Sequence, residues 1–146
     1  MMSAYTPRTD LRRVDGWQSR LIALANGWRR RPFAYGVVDC GQFMLADVEA
    51  VTGALLMPGV VWPTGWLGVA KFMIANDWAS VESVMDDLLP PMEVSASRPG
   101  DVVSFERGGE LHLAVRVGDG ALSPGIDGLV HFPRQTWRRA WMVGAE

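Results

Sequence analysis

Pro32-Phe33-Ala34-Tyr35-Gly36-Val37-Val38-Asp39-Cys40-Gly41-Gln42-Phe43 is the stretch on which the fold turns, and it holds the only cysteine of the chain. A turn-forming glycine, an extended Val-Val pair and an aspartate lead into an apolar-periodic segment. Asp39 is therefore expected as the N-cap of a helix and Cys40 in its first turn. A thiol there meets free N–H groups and the positive end of the helix dipole, both of which favour thiolate, the reactive form. A nucleophile so placed needs a histidine to take its proton.

Working outward, this helix is expected from Asp39 to Thr52, with Gly53 just beyond its end. Cys40, Phe43, Met44, Ala46, Val48, Ala50 and Val51 are so uniformly apolar that the helix should sit centrally. Upstream, Thr9 or Asp10 can cap a first helix. Its apolar positions Leu11, Val14, Trp17, Leu21, Leu24 and Trp28 recur at every third or fourth residue until Pro32 ends it. Downstream, Leu55 to Pro63 reads as a loop, Leu67 to Ala75 as helical, and Ser80 as the cap of a short helix through Leu88 that Pro90-Pro91 stops. Beyond Pro99 the period changes to two, with strands expected at Asp101–Glu106, Leu111–Val117, Leu129–Phe132 and Arg139–Val143. Gly108-Gly109, Gly118-Asp119-Gly120 and Pro124-Gly125 mark turns. Helices first and antiparallel strands afterwards make an α+β domain. One domain spans residues 1–146: a basic helical segment (1–31), the nucleophile helix with a helical and loop insert (32–99), and an antiparallel sheet (100–146).

A chain of 146 residues, 49% hydrophobic, can bury a sizeable core without disulfide or metal. Two histidines and one cysteine form no ligand cluster, so no metal or other cofactor is expected. The net charge of −2 argues against a nucleic-acid partner. It is unevenly spread: seven arginines against Asp10 and Asp15 give residues 1–31 a net +5, which leaves −7 for the remainder. Such a basic segment either meets an anionic partner or is a solvated helix face. No apolar run approaches membrane-spanning length, and the start of the chain lacks the apolar stretch of a secretion signal, so folding in a cytoplasm is expected.

Of the two histidines, His112 lies in Glu110-Leu111-His112-Leu113-Ala114-Val115-Arg116-Val117. Alternation puts His112, Ala114 and Arg116 on one face of that strand and Leu111, Leu113, Val115 and Val117 on the other. His131, in Leu129-Val130-His131-Phe132, reads as an ordinary strand histidine.

Asp39-Cys40 opening a helix, then Arg98-Pro99-Gly100-Asp101-Val102-Val103-Ser104-Phe105, then His112-Leu113-Ala114-Val115-Arg116-Val117-Gly118-Asp119-Gly120, resembles the NlpC/P60 cysteine peptidases. In that family an Asp-Cys-Ser-Gly motif begins the nucleophile helix, Gly-Asp-Leu-Val-Phe-Phe forms the first core strand, and His-Val-Gly-Ile-Tyr-Leu-Gly supplies the base. The resemblance covers about residues 28 to 125 and is greatest to the small versions encoded among tail genes of bacteriophages, prophages and gene transfer agents. It implies a papain-like fold, Cys40 as nucleophile, His112 as general base and, from the following strand, Ser123 as the residue that orients the histidine. It further implies peptide stems of peptidoglycan as substrate, other tail-tip or hub proteins as partners, and the distal virion tail as the working location. Two positions depart from the pattern: Phe33 stands where a tyrosine is common, and Gly41 replaces the serine after the cysteine. Asp39 either caps the helix or meets the amine of a peptide; with Gly41 it belongs to the expected substrate-binding residues, and the free backbone N–H groups at the helix start remain available as an oxyanion hole.

Trp62 and Trp66 flank Pro63-Thr64-Gly65 in the expected loop, where indoles either bind sugar rings or a partner, or fold as a lid over the chain's own apolar surface. Trp17, Trp28 and Trp141 fall on apolar faces and are expected in the core. Two other function classes fit the same residues. One is a virion structural module that keeps the fold without the chemistry, and the other an acyl or amide hydrolase or transferase acting on a small substrate.

Overall fold

The structure, a computed structural model, describes residues 5–146; residues 1–4 of the basic segment lie outside the described residues. Four helices come first: α1 (Trp17–Trp28), α2 (Cys40–Thr52), α3 (Trp66–Ala75) and α4 (Val81–Leu88). Six strands follow: β1 (Pro91–Met92), β2 (Val102–Arg107), β3 (Glu110–Val117), β4 (Gly120–Gly125), β5 (Gly128–Phe132) and β6 (Trp137–Trp141). They form one antiparallel sheet in the order β1-β6-β2-β3-β4-β5. The chain is thus α+β, with helices segregated before the sheet. No helix among the described residues is long and apolar enough to cross a membrane.

Each element has a local cause. Asp39 caps α2 by accepting a hydrogen bond from the Gln42 N–H at 2.8 Å, and Gly53, at φ 75°, ends it in the left-handed conformation. Ser80 caps α4 by accepting from the Ser83 N–H. The sheet has two unequal faces. Toward the helices, Phe43, Met44, Val48 and Val51 of α2 pack with Val102, Leu113, Val115 and Trp141. On the other face a smaller cluster joins Val103, Phe105, Ala114, Ala121, Trp137 and Ala140. Leu113 and Ala114 fall on opposite faces, as the two-residue alternation of β3 requires. The central place expected for α2 follows from its wholly buried stripe.

Three expectations are corrected. The first helix begins at Trp17 rather than Asp10, because Gly16 sits at φ 76° and the residues before it run extended. Arg12 pairs with Ala145 in a parallel bridge, and the N–H groups of Arg13 and Val14 donate to the carbonyls of Ala145 and Val51. Second, Gly120 and Gly125 bound a strand, not turns, and the last strand lies at Trp137–Trp141. Third, the arginines of the basic segment do not share one helix face, since Arg12 and Arg13 precede α1. Arg13 is buried in an ion pair with Asp101 at 3.0 Å, Arg20 donates to the carbonyls of Glu49 and Ala50, and Arg12 donates to that of Glu146. Trp141 is in the core as expected, whereas Trp17 and Trp28 pack half-buried against its edge.

Asp47, wholly buried in the middle of α2, has no hydrogen-bond partner among the described residues for either carboxylate oxygen. Burial pushes its acid well above the usual carboxylate range; Arg13 pulls it back in part and Asp101 adds to the rise. Arg13→Ala, which strands Asp101 without its partner, is expected to cost about 3–5 kcal/mol in denaturant melts. Asp47 takes up its proton on folding, so its contribution is full below the unfolded carboxyl value near 3.8 and is lost as pH rises above it. Asp47→Asn should flatten that decline, and parallel melts from pH 4 to 8 check it.

Candidate active site

Four N–H groups open every helix without intrahelical partners. In α2 these belong to Asp39, Cys40, Gly41 and Gln42, and the first bond of the helix is that from Phe43. The Asp39 side chain takes the N–H of Gln42 and its carbonyl takes that of Phe43 at 2.9 Å. The N–H groups of Cys40 and Gly41 have no hydrogen-bond acceptor among the described residues, and with the N–H of Leu113 from β3 they favour the thiolate form of Cys40. The second oxygen of Asp39 accepts from the Gly36 N–H at 2.7 Å, closing the turn that feeds the helix. Gly36 has φ 78°, and a Cβ there would lie 2.0 Å from the Pro63 carbonyl oxygen, so only glycine lets the 62–64 loop approach.

Cys40 lines a cavity of about 160 Å³ together with Asp39, Gly41, Phe33, Trp62 and His112. Helix α3 roofs it through Val69 and Met73. The structure thus brings Cys40, His112, Asp39, Gly41 and Trp62 to one space. Trp66 lies apart, 65% exposed at the start of α3, while Trp62 folds inward at 4.7 Å from the Phe72 ring. The tryptophan pair therefore divides: Trp62 is part of a lid and Trp66 stands in solvent.

His112 is held by stacking on Phe105, its cross-strand partner, at 5.3 Å and 22°; Phe105 in turn stacks on Phe132 at 3.9 Å. This row of rings lies on the face of the sheet away from α2, whereas Leu113 faces the helix. Among the described residues no hydrogen bond joins His112 to Cys40. Ser123 is buried and shares a neighbouring cavity of about 450 Å³ with His112 and Phe105. Pairing of Arg116 with Ala121 puts Ser123 on the same sheet face as His112. His112 lines both cavities.

The electrostatics reverse one expectation. Burial pushes the Cys40 thiol up to about 11, and the charge of Asp39 adds to the rise; the N–H groups of Leu113, Cys40 and Gly41 pull the other way without prevailing. The resting group is a thiol. Tyr35, absent from the residues expected at the site, also lines the cavity, edge-on to Phe33 at 4.7 Å. It lies in the very stretch that marks the cysteine. What the sequence alone does not reveal is that the turn at Gly36 brings it round beside Phe33.

Alkylation of Cys40 by iodoacetamide should accelerate across the alkaline range with a midpoint near 11, not near neutrality. Asp39→Asn keeps a capping acceptor and removes the charge, so it should move that midpoint downward. Mass spectrometry of the alkylated chain at a series of pH values reads both.

Comparison with known proteins adds a family without an activity. No curated protein matches the chain. Residues 12–143 match DUF6950, described as a domain of unknown function, a span that runs from the N-terminal arm through the last strand. The chain therefore belongs to the DUF6950 family.

Proposed function

We propose that this chain is a cysteine peptidase of NlpC/P60 type, with a papain-like version of its α+β fold, acting on the peptide stems of peptidoglycan. The observation that carries the reading is the shared cavity. Cys40 opens α2 there with the unpartnered N–H groups of Cys40 and Gly41 at the same helix start, and His112, from β3, lines the same space.

With the thiol at about 11, only about one molecule in ten thousand carries a thiolate at pH 7, so proton transfer accompanies attack. His112 takes the thiol proton as the sulfur bonds to the amide carbon and the carbonyl electrons move to oxygen. The N–H groups of Cys40 and Gly41 receive that oxyanion. Collapse breaks the C–N bond, and the imidazolium gives its proton to the departing amine. Water, deprotonated by His112, then attacks the thioester; the C–S bond breaks, that proton passes from the imidazolium to sulfur, and the peptide leaves as a carboxylic acid that gives its own proton to solvent. Ser123, on the same sheet face as His112, is the residue that orients the ring in this reading. Resemblance to tail-encoded members extends the reading to a component of the distal virion tail, beside other tail-tip or hub proteins.

A second reading, a virion structural module without chemistry, is favoured by one observation: His112 is stacked on Phe105 and makes no hydrogen bond to a thiol that burial keeps protonated. Incubation of the pure protein with isolated peptidoglycan, with mass analysis of released peptides, separates the two. Cys40→Ala should abolish release and His112→Ala should lower it about a thousandfold, since the pair acts as a unit. Ser123→Ala should cost less than His112→Ala. Equal release by wild type and Cys40→Ala would overturn the peptidase reading in favour of the structural one. Purified particles should carry the chain at the distal tail in either case.

A further inference from the structure

The cavity at Cys40 has a volume of about 160 Å³, whereas cavities that hold ligands have about 300–1,000 Å³. The larger space beyond His112 does not include Cys40. For a substrate to seat at the sulfur a wall must move, and packing decides which. Helix α2 and strand β3 are built on core residues, and α4 brings the buried Val84. The 33–36 turn is tied by the Phe33 N–H to the Gly125 carbonyl and by the Gly36 N–H to Asp39. Of the four helices, α3 alone has no buried residue among those described. It is apolar on both sides. Val69 and Met73 line the cavity and Phe72 packs on Trp62, while Trp66, Leu67 and Ile74 are exposed. Packing therefore fixes it less firmly than a helix with a single apolar stripe. Among the described residues no hydrogen bond or ion pair joins residues 66–75 to another element.

The two ends of α3 differ. At the start one bond, from the Gly65 N–H to the Tyr35 carbonyl at 3.0 Å, ties the helix cap to the 33–36 turn. Gly65 has φ 80° and ψ 158°, backbone that only glycine adopts readily. At the far end Asp77 stands at φ 60°, the one non-glycine residue with positive φ among those described. Trp78 after it is buried, its indole donating to Asp87 at 2.6 Å. We infer that α3 is a lid, latched at Gly65 and pivoting at Asp77, that swings outward to widen the Cys40 cavity to ligand size. Hinges are a few residues at element ends that absorb the change in backbone angles, which is where both residues lie. Trp78 keeps the pivot in the core, and the contact given up is that of Phe72 with Trp62, at 4.7 Å. The opening stands on packing; that a peptide is what enters rests on the peptidase reading.

The test compares alkylation of Cys40, the sole thiol, by iodoacetamide and by the bulkier fluorescein maleimide. Mass spectrometry of the intact full-length chain reads both rates, each scaled to that of the urea-unfolded chain. In the native protein the maleimide should be slowed about tenfold more than iodoacetamide. Its rate should depend only weakly on urea, because a lid exposes far less surface than unfolding does. Gly65→Ala adds a Cβ that meets nothing within 4 Å but strains the latch, and should raise the maleimide rate about tenfold. Phe72→Ala, at a residue outside the cavity lining, should raise it several-fold and keeps the test open if the Gly65 variant fails to fold. Equal slowing of the two reagents, a maleimide rate as steep in urea as global unfolding, or a rate that neither variant moves each overturns the lid. Size-selective labelling that the variants relieve, in a protein that releases nothing from peptidoglycan, leaves the lid standing while the peptidase reading falls. Peptide release together with a maleimide rate that neither variant moves does the reverse.

Discussion

The buried ion pair between Arg13 and Asp101 holds the rest of the molecule in place. Arg13 donates to Asp101 at 3.0 Å, to the Pro99 carbonyl at 2.6 Å and to the Val143 carbonyl at 3.1 Å. Asp101 also accepts from the N–H groups of Arg98 and Val143, each at 2.9 Å. Three segments far apart in sequence, the N-terminal arm, the entry to β2 and the chain beyond β6, meet at one point. Desolvating two charges is unfavourable, and it is offset here because the hydrogen-bonding capacity around both groups is used. The contact admits no bulk. Gly100 has φ 93°, and a Cβ there would sit 2.9 Å from the Arg13 guanidinium, so the glycine is set by steric approach as much as by turn geometry.

The same anchor reaches the cavity through the sheet. It fixes the start of β2, and β2 pairs along its whole length with β3, which carries Leu113 against the Cys40 sulfur and His112 beside Phe105. Helix α2 is tied to the anchor from its middle, where Asp47 lies within the field of both Arg13 and Asp101. Magnitudes then decide the state of the thiol. A helix N-terminus contributes about 0.3–1 kcal/mol to an anion at an exposed site, less than one pKa unit. Burial of the thiol against α3 and β3 raises it from 9.0 to about 11, and so outweighs the dipole. The protonated state of the thiol is thus a consequence of packing, against which the helix dipole is the smaller contribution.

That contest marks the boundary of what the sequence makes legible. Helix α2 is readable because cap, apolar run and terminal glycine agree, and β3 because alternation survives burial. The N-terminal arm is misread because Leu11, Val14 and Trp17 have helical spacing, yet Arg13 is drawn to Asp101 some ninety residues away and the chain straightens to deliver it. Local periodicity carries no trace of that partner. Strand β4 is obscured for a different reason: Gly120 looks like a turn residue, but a Cβ there would come within 1.8 Å of the His131 ring on β5. The glycine serves close approach of two strands. Tyr35 and Trp62 reach the cavity through the turn at Gly36 and its contact with Pro63, a relation between loops that no period encodes.

One helix accordingly divides its surface three ways. Phe43, Met44, Asp47, Val48 and Val51 face the core, the N-terminal turn presents Cys40 to the cavity, and Gln42, Leu45, Ala46 and Glu49 line a separate groove of about 410 Å³. Successive residues of a helix turn through about 100°, so these stripes interleave in sequence while remaining separate in space. The residues around Cys40 and those around Gln42 are therefore different. Among the described residues only Trp62 lines both spaces, so a single indole is the partition between them, and its place is set by the contact of the 62–64 loop with the turn at Gly36 rather than by α2 itself.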